Sequence, residues 1–165
     1  MGRLPDQWAG RKITMRIPYV MPGEILLTSG QPGVQFPDAT FTQNVDKPFE
    51  VHRVKPWVVA LDTNGDVLSP QPSQESLQSL IRVRINDLGK SELMTKNPEL
   101  LVLLPKGTAE STWEWAEPYT IVRSEQFQVI ADALSYTNFV GVATLRLAWK
   151  WEGFLIVVAP PSESR

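Results

Sequence analysis

The stretch VATLRLAWKWEGFLIVVA, residues 142–159, decides the fold of this chain. Its first half alternates between apolar and mostly polar side chains, with Ala148 as the exception on the polar side. The apolar positions are Ala143, Leu145, Leu147, Trp149 and Trp151, and the others are Val142, Thr144, Arg146, Lys150 and Glu152. A period of two predicts a β-strand with one dry and one mostly wet face.

The second half of this stretch, residues 154–159, is apolar without alternation, which indicates a strand covered on both faces. Glu152 and Gly153 separate the halves. They either turn the chain back or kink one long strand, because glycine tolerates unusual backbone angles and weakens a strand ladder. We interpret the two halves as the closing pair of strands of a β-sandwich.

The rest of the chain predicts further short strands separated by turn signals. Strand-like runs cover residues 48–61, 81–85, 113–115, 119–123 and 125–134. In the first run the alternation slips at Arg53 and Val54, which a β-bulge or a break at Pro56 would explain. Ser73 is placed to cap a short helix, and no long helix is predicted. The predicted fold class is all-β, an antiparallel, jelly-roll-like β-sandwich.

Residues 1–47 are rich in proline and predict an extended N-terminal arm or edge segment, with short strands at 11–17 and 24–28. Residues 48–160 form the predicted sandwich domain, and 161–165 a C-terminal tail. The arm either packs on its own domain or reaches a neighbouring subunit. Its candidate partner contacts are apolar: Ile13, Met15, Ile25, Leu26, Leu27, Phe36 and Phe41.

Composition limits the classes of function. The chain has 165 residues, no cysteine and a formal net charge of −2. The absence of cysteine excludes disulfides, zinc–thiolate sites and cysteine nucleophiles. The charge argues against nucleic acid and anionic membranes as partners. The longest apolar run is far shorter than the roughly 18 residues of a membrane span, and no signal peptide is recognisable.

No catalytic, cofactor-binding or metal-binding motif is recognisable in the sequence. The single histidine, His52, lies in an alternating run, which favours a surface or ladder position over catalysis. The turn DTNGD at residues 62–66 has its glycine too early for a calcium loop. Glu110, Glu114 and Glu117 leave a small carboxylate-dependent glycosidase as an alternative hypothesis.

The tryptophans form two W-x-W pairs, Trp113 with Trp115 and Trp149 with Trp151. Each pair shares one face of its strand, and four rings would form one wall if the two strands were neighbours. The rings then either fill the sandwich core or provide a platform for sugar rings or a partner protein. A carbohydrate-binding module is therefore an alternative function.

Basic side chains occupy the polar faces of two predicted strands. They are Arg82, Arg84, Arg146 and Lys150. If the strands align, these side chains form a band that is either solvated or faces an acidic protein surface or nucleic acid, with the net charge against nucleic acid.

The strand order resembles that of small virion proteins of tailed bacteriophages, the decoration or cement proteins of capsids. The segments that carry the resemblance are PFEVHRV (48–54), IRVRINDLG (81–89), WEWAEPY (113–119), EQFQV (125–129) and EGFLIVVAP (152–160). The resemblance is one of strand order and style, so no functional residue transfers from it.

The resemblance implies a jelly-roll domain with an extended arm, which forms dimers or trimers and contacts the major capsid protein. The expected function is that of a non-enzymatic structural protein that stabilises the capsid and needs no cofactor. Its expected location is the capsid surface of the virion, after assembly in the host cytoplasm. Another particle component, associated with tail or portal, is the alternative within the same class.

Overall fold

The computed structural model describes residues 7–8, 11–28, 36–44, 47–87, 92–93, 99–100, 113–121, 126–134 and 139–159. Side chains are described for 11–28, 47–86, 118–121, 128–134 and 139–159. Strands account for about 70% of the structure, and their sheets are antiparallel, which confirms the all-β class.

Ten strands and one short helix are described. They are β1 (Gln7–Trp8), β2 (Arg11–Thr28), β3 (Phe36–Asn44), β4 (Phe49–Leu61), α1 (Gln74–Gln78), β5 (Ile81–Asp87), β6 (Glu92–Leu93), β7 (Glu99–Leu100), β8 (Trp113–Ile121), β9 (Gln126–Ala133) and β10 (Thr144–Val158). One sheet has the order β1-β2-β10-β4-β8. The other has the order β3-β9-β5-β6, with β7 also paired to β5. One of the two sheets is curled into a half-barrel.

The stretch that decides the fold, residues 142–159, contains the middle strand of the first sheet. β10 runs unbroken from Thr144 to Val158 between β2 and β4. The prediction of two closing strands is therefore wrong, and the alternative of one kinked strand is correct. The register against β4 shifts between Glu152 and Gly153. A Cβ at Gly153 would lie 2.0 Å from the carbonyl oxygen of Glu50, so only glycine fits this approach of two backbones.

The predicted dry face of β10 is the core face of the sheet. Leu145, Leu147, Trp149 and Trp151 are all nearly inaccessible to solvent, whereas Lys150 on the opposite face is exposed. Buried side chains of β2, β4, β5, β8 and β9 join the same hydrophobic core, as does Leu77 of α1. Both sheets thus contribute to one core. The alternation in β10 correctly predicts which face of that strand is buried in it.

The part of the predicted arm between Arg11 and Thr28 is one strand, not two short ones. β2 pairs with β10 from Thr28 opposite Thr144 to Ile13 opposite Val158. It adds Met21, Ile25 and Leu27 to the core. The predicted domain boundary between residues 47 and 48 stays a prediction.

The outer edge of β2 carries two prolines. The Ile156 amide donates a hydrogen bond to the Pro48 carbonyl, which continues the β4 side of β10. Because backbone groups alternate in direction along a strand, the odd-numbered residues of β10 hydrogen-bond to β2, and their partners there are also odd-numbered. The even-numbered positions of β2, including Pro18 and Pro22, therefore direct their backbone groups away from β10, and the two prolines have no N–H to offer at that edge. Prolines placed this way interrupt an edge and hinder pairing with another strand.

Local predictions in and after β4 are confirmed. The slip in its alternation is a β-bulge between Val51 and Arg53. Ser73 caps α1, because its hydroxyl accepts a hydrogen bond from the Ser76 amide. In the predicted turn Gly65 has a φ of 85°, a value that favours glycine.

Candidate functional site

The candidate site is an open groove of about 690 Å³ on the face of the first sheet opposite the core. Its lining residues are Pro18, Tyr19, Val20, His52, Arg53, Glu152, Gly153 and Phe154. The strand registers explain why residues so distant in sequence meet. One cross-strand row holds Val20, Glu152 and Arg53, and the next holds Pro18, Phe154 and Glu50.

The β-bulge in β4 adds His52 to this face. Val51 pairs with Gly153 and Arg53 pairs with Glu152, so His52 has no Cα partner in β10. On β8 the pairing moves from Tyr119 to Glu114 across the same step. An extra residue re-aims side chains at a bulge, and bulges are frequent beside functional sites. Here the bulge brings His52 and Arg53 to the same groove.

A buried carboxylate holds the imidazole of His52. Glu50 is 1% exposed, and its Oε1 lies 2.8 Å from Nε2 of His52. Because an ionised carboxylate only accepts hydrogen bonds, Nε2 is the donor. The other oxygen, Oε2, lies 3.6 Å from Nε of Arg16. The ring of Phe154 meets the His52 ring edge to face at 5.2 Å.

A second carboxylate, Glu152, holds two basic side chains of β4. Nε of Arg53 hydrogen-bonds to Oε2 of Glu152, and Nζ of Lys55 lies 3.7 Å from Oε1. On β8 the same row ends at Glu114, whose side chain is outside the described set.

The groove is layered by charge. The basic side chains lie outside, with His52 39%, Arg53 43% and Lys55 42% exposed. The two carboxylates lie beneath them, and Glu152 is only 20% exposed. The acids thus act as counter-ions that orient the cations, and solvent meets mainly donors beside the apolar surfaces of Pro18 and Val20. This arrangement suits recognition of an anionic group next to an apolar one.

The sequence predicts that His52 is not a catalytic residue and not a metal ligand, and both of these absences stay predictions. Within the described residues no group of three or more His, Asp or Glu side chains is placed to hold a metal ion. Of the two positions predicted for His52, surface or ladder, the structure has a half-exposed surface position at the β-bulge, without a Cα partner in β8 or β10.

The predicted partner contacts divide by exposure. Met15 is 57% and Leu26 53% exposed, whereas Ile25 and Leu27 lie in the core. Ile13 is half-buried. Phe36 and Phe41 lie in β3, opposite Ala133 and Val129, and their side chains are outside the described set.

The two W-x-W pairs do not lie on adjacent strands, because β4 separates β8 from β10. Val54 pairs with Trp151 on one side and with Trp113 on the other. Trp149 and Trp151 are 3% and 1% exposed and belong to the core, so neither can serve as a binding platform. The side chains of Trp113 and Trp115 are outside the described set.

The predicted basic band is split between the two sheets. Arg82 and Arg84 lie on β5 of the second sheet, where Arg82 pairs with Asp132. Arg146 and Lys150 lie on β10 of the first sheet, where Lys150 faces Lys55 and lies 5.8 Å from the Trp57 ring centroid. The basic side chains of the first sheet therefore lie on the same face as the groove and next to it, whereas those of β5 lie on the other sheet.

The groove itself was not predicted from sequence. The slip in the alternation of residues 49–54 is its one local signal, because that slip is the bulge that exposes His52. The other two walls come from β2 and β10, and their register against β4 cannot be read from their own sequences.

No protein-family model, curated protein or solved structure matches this chain. In the described part of the chain, no helix has both the length and the apolar character needed to cross a membrane.

Proposed function

We propose that this chain is a non-enzymatic structural protein of a viral particle, a cement or decoration protein that binds the major capsid protein and stabilises the shell. Its two sheets would form a jelly-roll-like sandwich, assembled as dimers or trimers, and β2 would be the attachment element. The proposal joins the resemblance in strand order to the distribution of exposed apolar side chains.

That distribution is the observation that carries the proposal. Seven large apolar side chains are exposed in the described part of the chain, and five of them lie on β2. These five, the apolar strip, are Met15, Ile17, Tyr19, Val20 and Leu26. Single exposed apolar residues are ordinary, but here five lie on one strand. Because alternate residues of a strand face opposite sides, Met15, Ile17 and Tyr19 lie on one face of β2 and Val20 and Leu26 on the other. A partner that contacts both faces of this strand would cover all five.

β2 suits attachment because the same strand is fixed in the core. Met21, Ile25 and Leu27 are buried while Met15 and Leu26 face solvent. A strip that is already ordered loses little conformational entropy on binding. Pro18 and Pro22 hinder pairing at its edge, so a partner would be held through side chains. Several copies on one shell would then raise the apparent affinity well above that of one contact.

The test begins with particles purified from the source of the chain and analysed by gradient sedimentation and mass spectrometry. Cosedimentation of the chain in a fixed ratio to the major capsid protein supports the proposal, and its absence from every particle fraction overturns it. Particles stripped of the chain are then incubated with the purified protein. We expect Met15→Ser with Leu26→Ser to weaken rebinding at least about tenfold, since burying each side chain is worth about 1 kcal/mol or more.

The matched control replaces exposed apolar residues elsewhere. Val67 and Val140 are 57% and 87% exposed and lie outside β2. Val67→Ser with Val140→Ser should leave rebinding unchanged. Equal losses in both double variants would refute a role for the strip.

A further inference from the structure

The groove at the His52 bulge shares Tyr19 and Val20 with the apolar strip, but it contains neither Met15 nor Leu26, the two strip residues tested above. We propose that it is a docking site for an acidic segment of a partner protein, a short extended peptide with an apolar side chain flanked by Asp or Glu. This inference does not rest on the proposed function, because it needs only the groove and its charges.

Charge complementarity identifies the occupant as anionic. The chain as a whole carries a net charge of −2, yet the cations of the groove lie outward and its acids inward. Glu152 holds Arg53 and Lys55, and Glu50 holds His52, so the donors are oriented before a ligand arrives. Orientation in advance lowers the entropy cost of binding an anionic side chain.

The apolar wall indicates that the anion is part of a peptide. Val20 is 47% exposed and Pro18 is also exposed, and both lie on β2, across β10 from the cations of β4. The groove crosses three strands and two rows, which is roughly 10 Å by 7 Å at ordinary strand spacings. That footprint matches two or three residues of extended chain at about 3.3 Å per residue.

Nucleic acid fits this surface less well than an acidic peptide. Binding of single strands relies on aromatic rings that are free to stack on bases. The two aromatic side chains described on this face already have partners. Phe154 contacts His52, and Trp57 lies beneath the ammonium group of Lys150.

Fluorescence anisotropy with the full chain tests the proposal with four labelled probes. One peptide has a central Leu flanked by Glu, the second replaces Glu by Gln, the third replaces Leu by Ser, and the fourth probe is an oligo-dT strand. We expect the first peptide to bind at least about tenfold more tightly than the second and to weaken as NaCl is raised from about 50 to about 500 mM.

Two variants locate the binding. Arg53→Gln with Glu152→Gln leaves the net charge of the chain unchanged, removes a cation and its counter-ion together, and should weaken the first peptide at least about fivefold. Val20→Ser changes an exposed residue, so folding is not at risk. It should weaken the first peptide but not the third, which lacks the apolar side chain.

Lys12→Gln is the matched control, because this exposed lysine lies on β2 about 26 Å along the strand from Val20. It should change the affinity by less than twofold. Binding weaker than about 1 mM, equal binding of the Gln peptide, or no effect of the Arg53 double variant overturns the proposal. Tighter binding of oligo-dT, lost in the same variant, would identify a nucleic-acid site instead.

Discussion

Replacing Gly153 by alanine should destabilise the protein more than any other glycine-to-alanine change in the described chain. The added Cβ would lie 2.0 Å from the Glu50 carbonyl oxygen and 3.1 Å from Cα of Val51. The first distance is about 1.4 Å short of the 3.4 Å at which ordinary contact begins. Both atoms belong to the backbone of β4, so no side-chain rotation relieves the overlap, and β4 must move away from β10.

The size of the effect follows from that movement. A separation of about 1 Å or more breaks the two nearest ladder hydrogen bonds, worth about 1 kcal/mol each. Repacking of Phe49 and Val51, both fully buried, adds about 1–3 kcal/mol. The lower entropy of the unfolded alanine chain offsets about 0.5–1 kcal/mol. The expected net loss is about 3 kcal/mol, or roughly 6–12 °C in Tm for a chain of this size.

Urea unfolding followed by tryptophan fluorescence measures this loss, and Gly65→Ala is the control. Gly65 has a φ of 85° and nothing within 4 Å of an added Cβ, so only backbone strain of about 1–2 kcal/mol applies. Failure of the Gly153 variant to fold would mean a loss larger than the expected value of about 3 kcal/mol, at least the roughly 5 kcal/mol of a marginally stable domain. A Gly153 variant at least as stable as the Gly65 variant would refute the close contact between β4 and β10.

Four further variants, at three positions, test other contacts. Gln71→Ala should cost about 1–3 kcal/mol in the same assay. The Gln71 side-chain amide accepts a hydrogen bond from the N–H of Ala60 and donates one to its C=O, and Ala60 is fully buried. A loss below about 0.5 kcal/mol would contradict this reasoning. Ser73→Ala should cost about 1 kcal/mol by removing the cap of α1, whereas Ser73→Asp should retain most of the stability. Glu50→Gln should cost about 1–3 kcal/mol, since it removes the charge that pairs with Arg16 and His52; an unchanged urea midpoint would argue against the buried ion pair.

The sequence predicts elements of the fold better than their connections. The alternation from Thr144 to Glu152 identifies both the strand and its buried face, because burial depends on side chains within that strand. Whether Gly153 turns or continues the strand depends instead on the backbone of Glu50, about a hundred residues away in sequence. The same limit applies to β2, where the sequence predicts Met15, Ile25, Leu26 and Leu27 alike as partner contacts. In the structure Met15 and Leu26 are exposed, whereas Ile25 and Leu27 lie in the core.

The candidate site could not be predicted from the sequence for a related physical reason. Its walls come from β2, β4 and β10, and a shift of one residue in any pairing would turn the corresponding side chains to the other face. The slip near Arg53 predicts an irregularity in β4, but the pairing of Val51 with Gly153 and of Arg53 with Glu152 is needed to place His52 outside both ladders. Only then do Glu50, His52 and Arg53 share one face.

The bulge and Gly153 are best understood as one feature shared by two strands. At the step where β4 holds the additional residue His52, β10 continues from Glu152 to Gly153 without one. The backbone of Glu50 approaches Gly153 more closely than a Cβ would permit. Glycine therefore allows the approach, while the extra residue lets His52 and Arg53 face the same groove. The irregularity that ends the regular alternation of this sheet is thus also the one that gathers the charges of the proposed docking site.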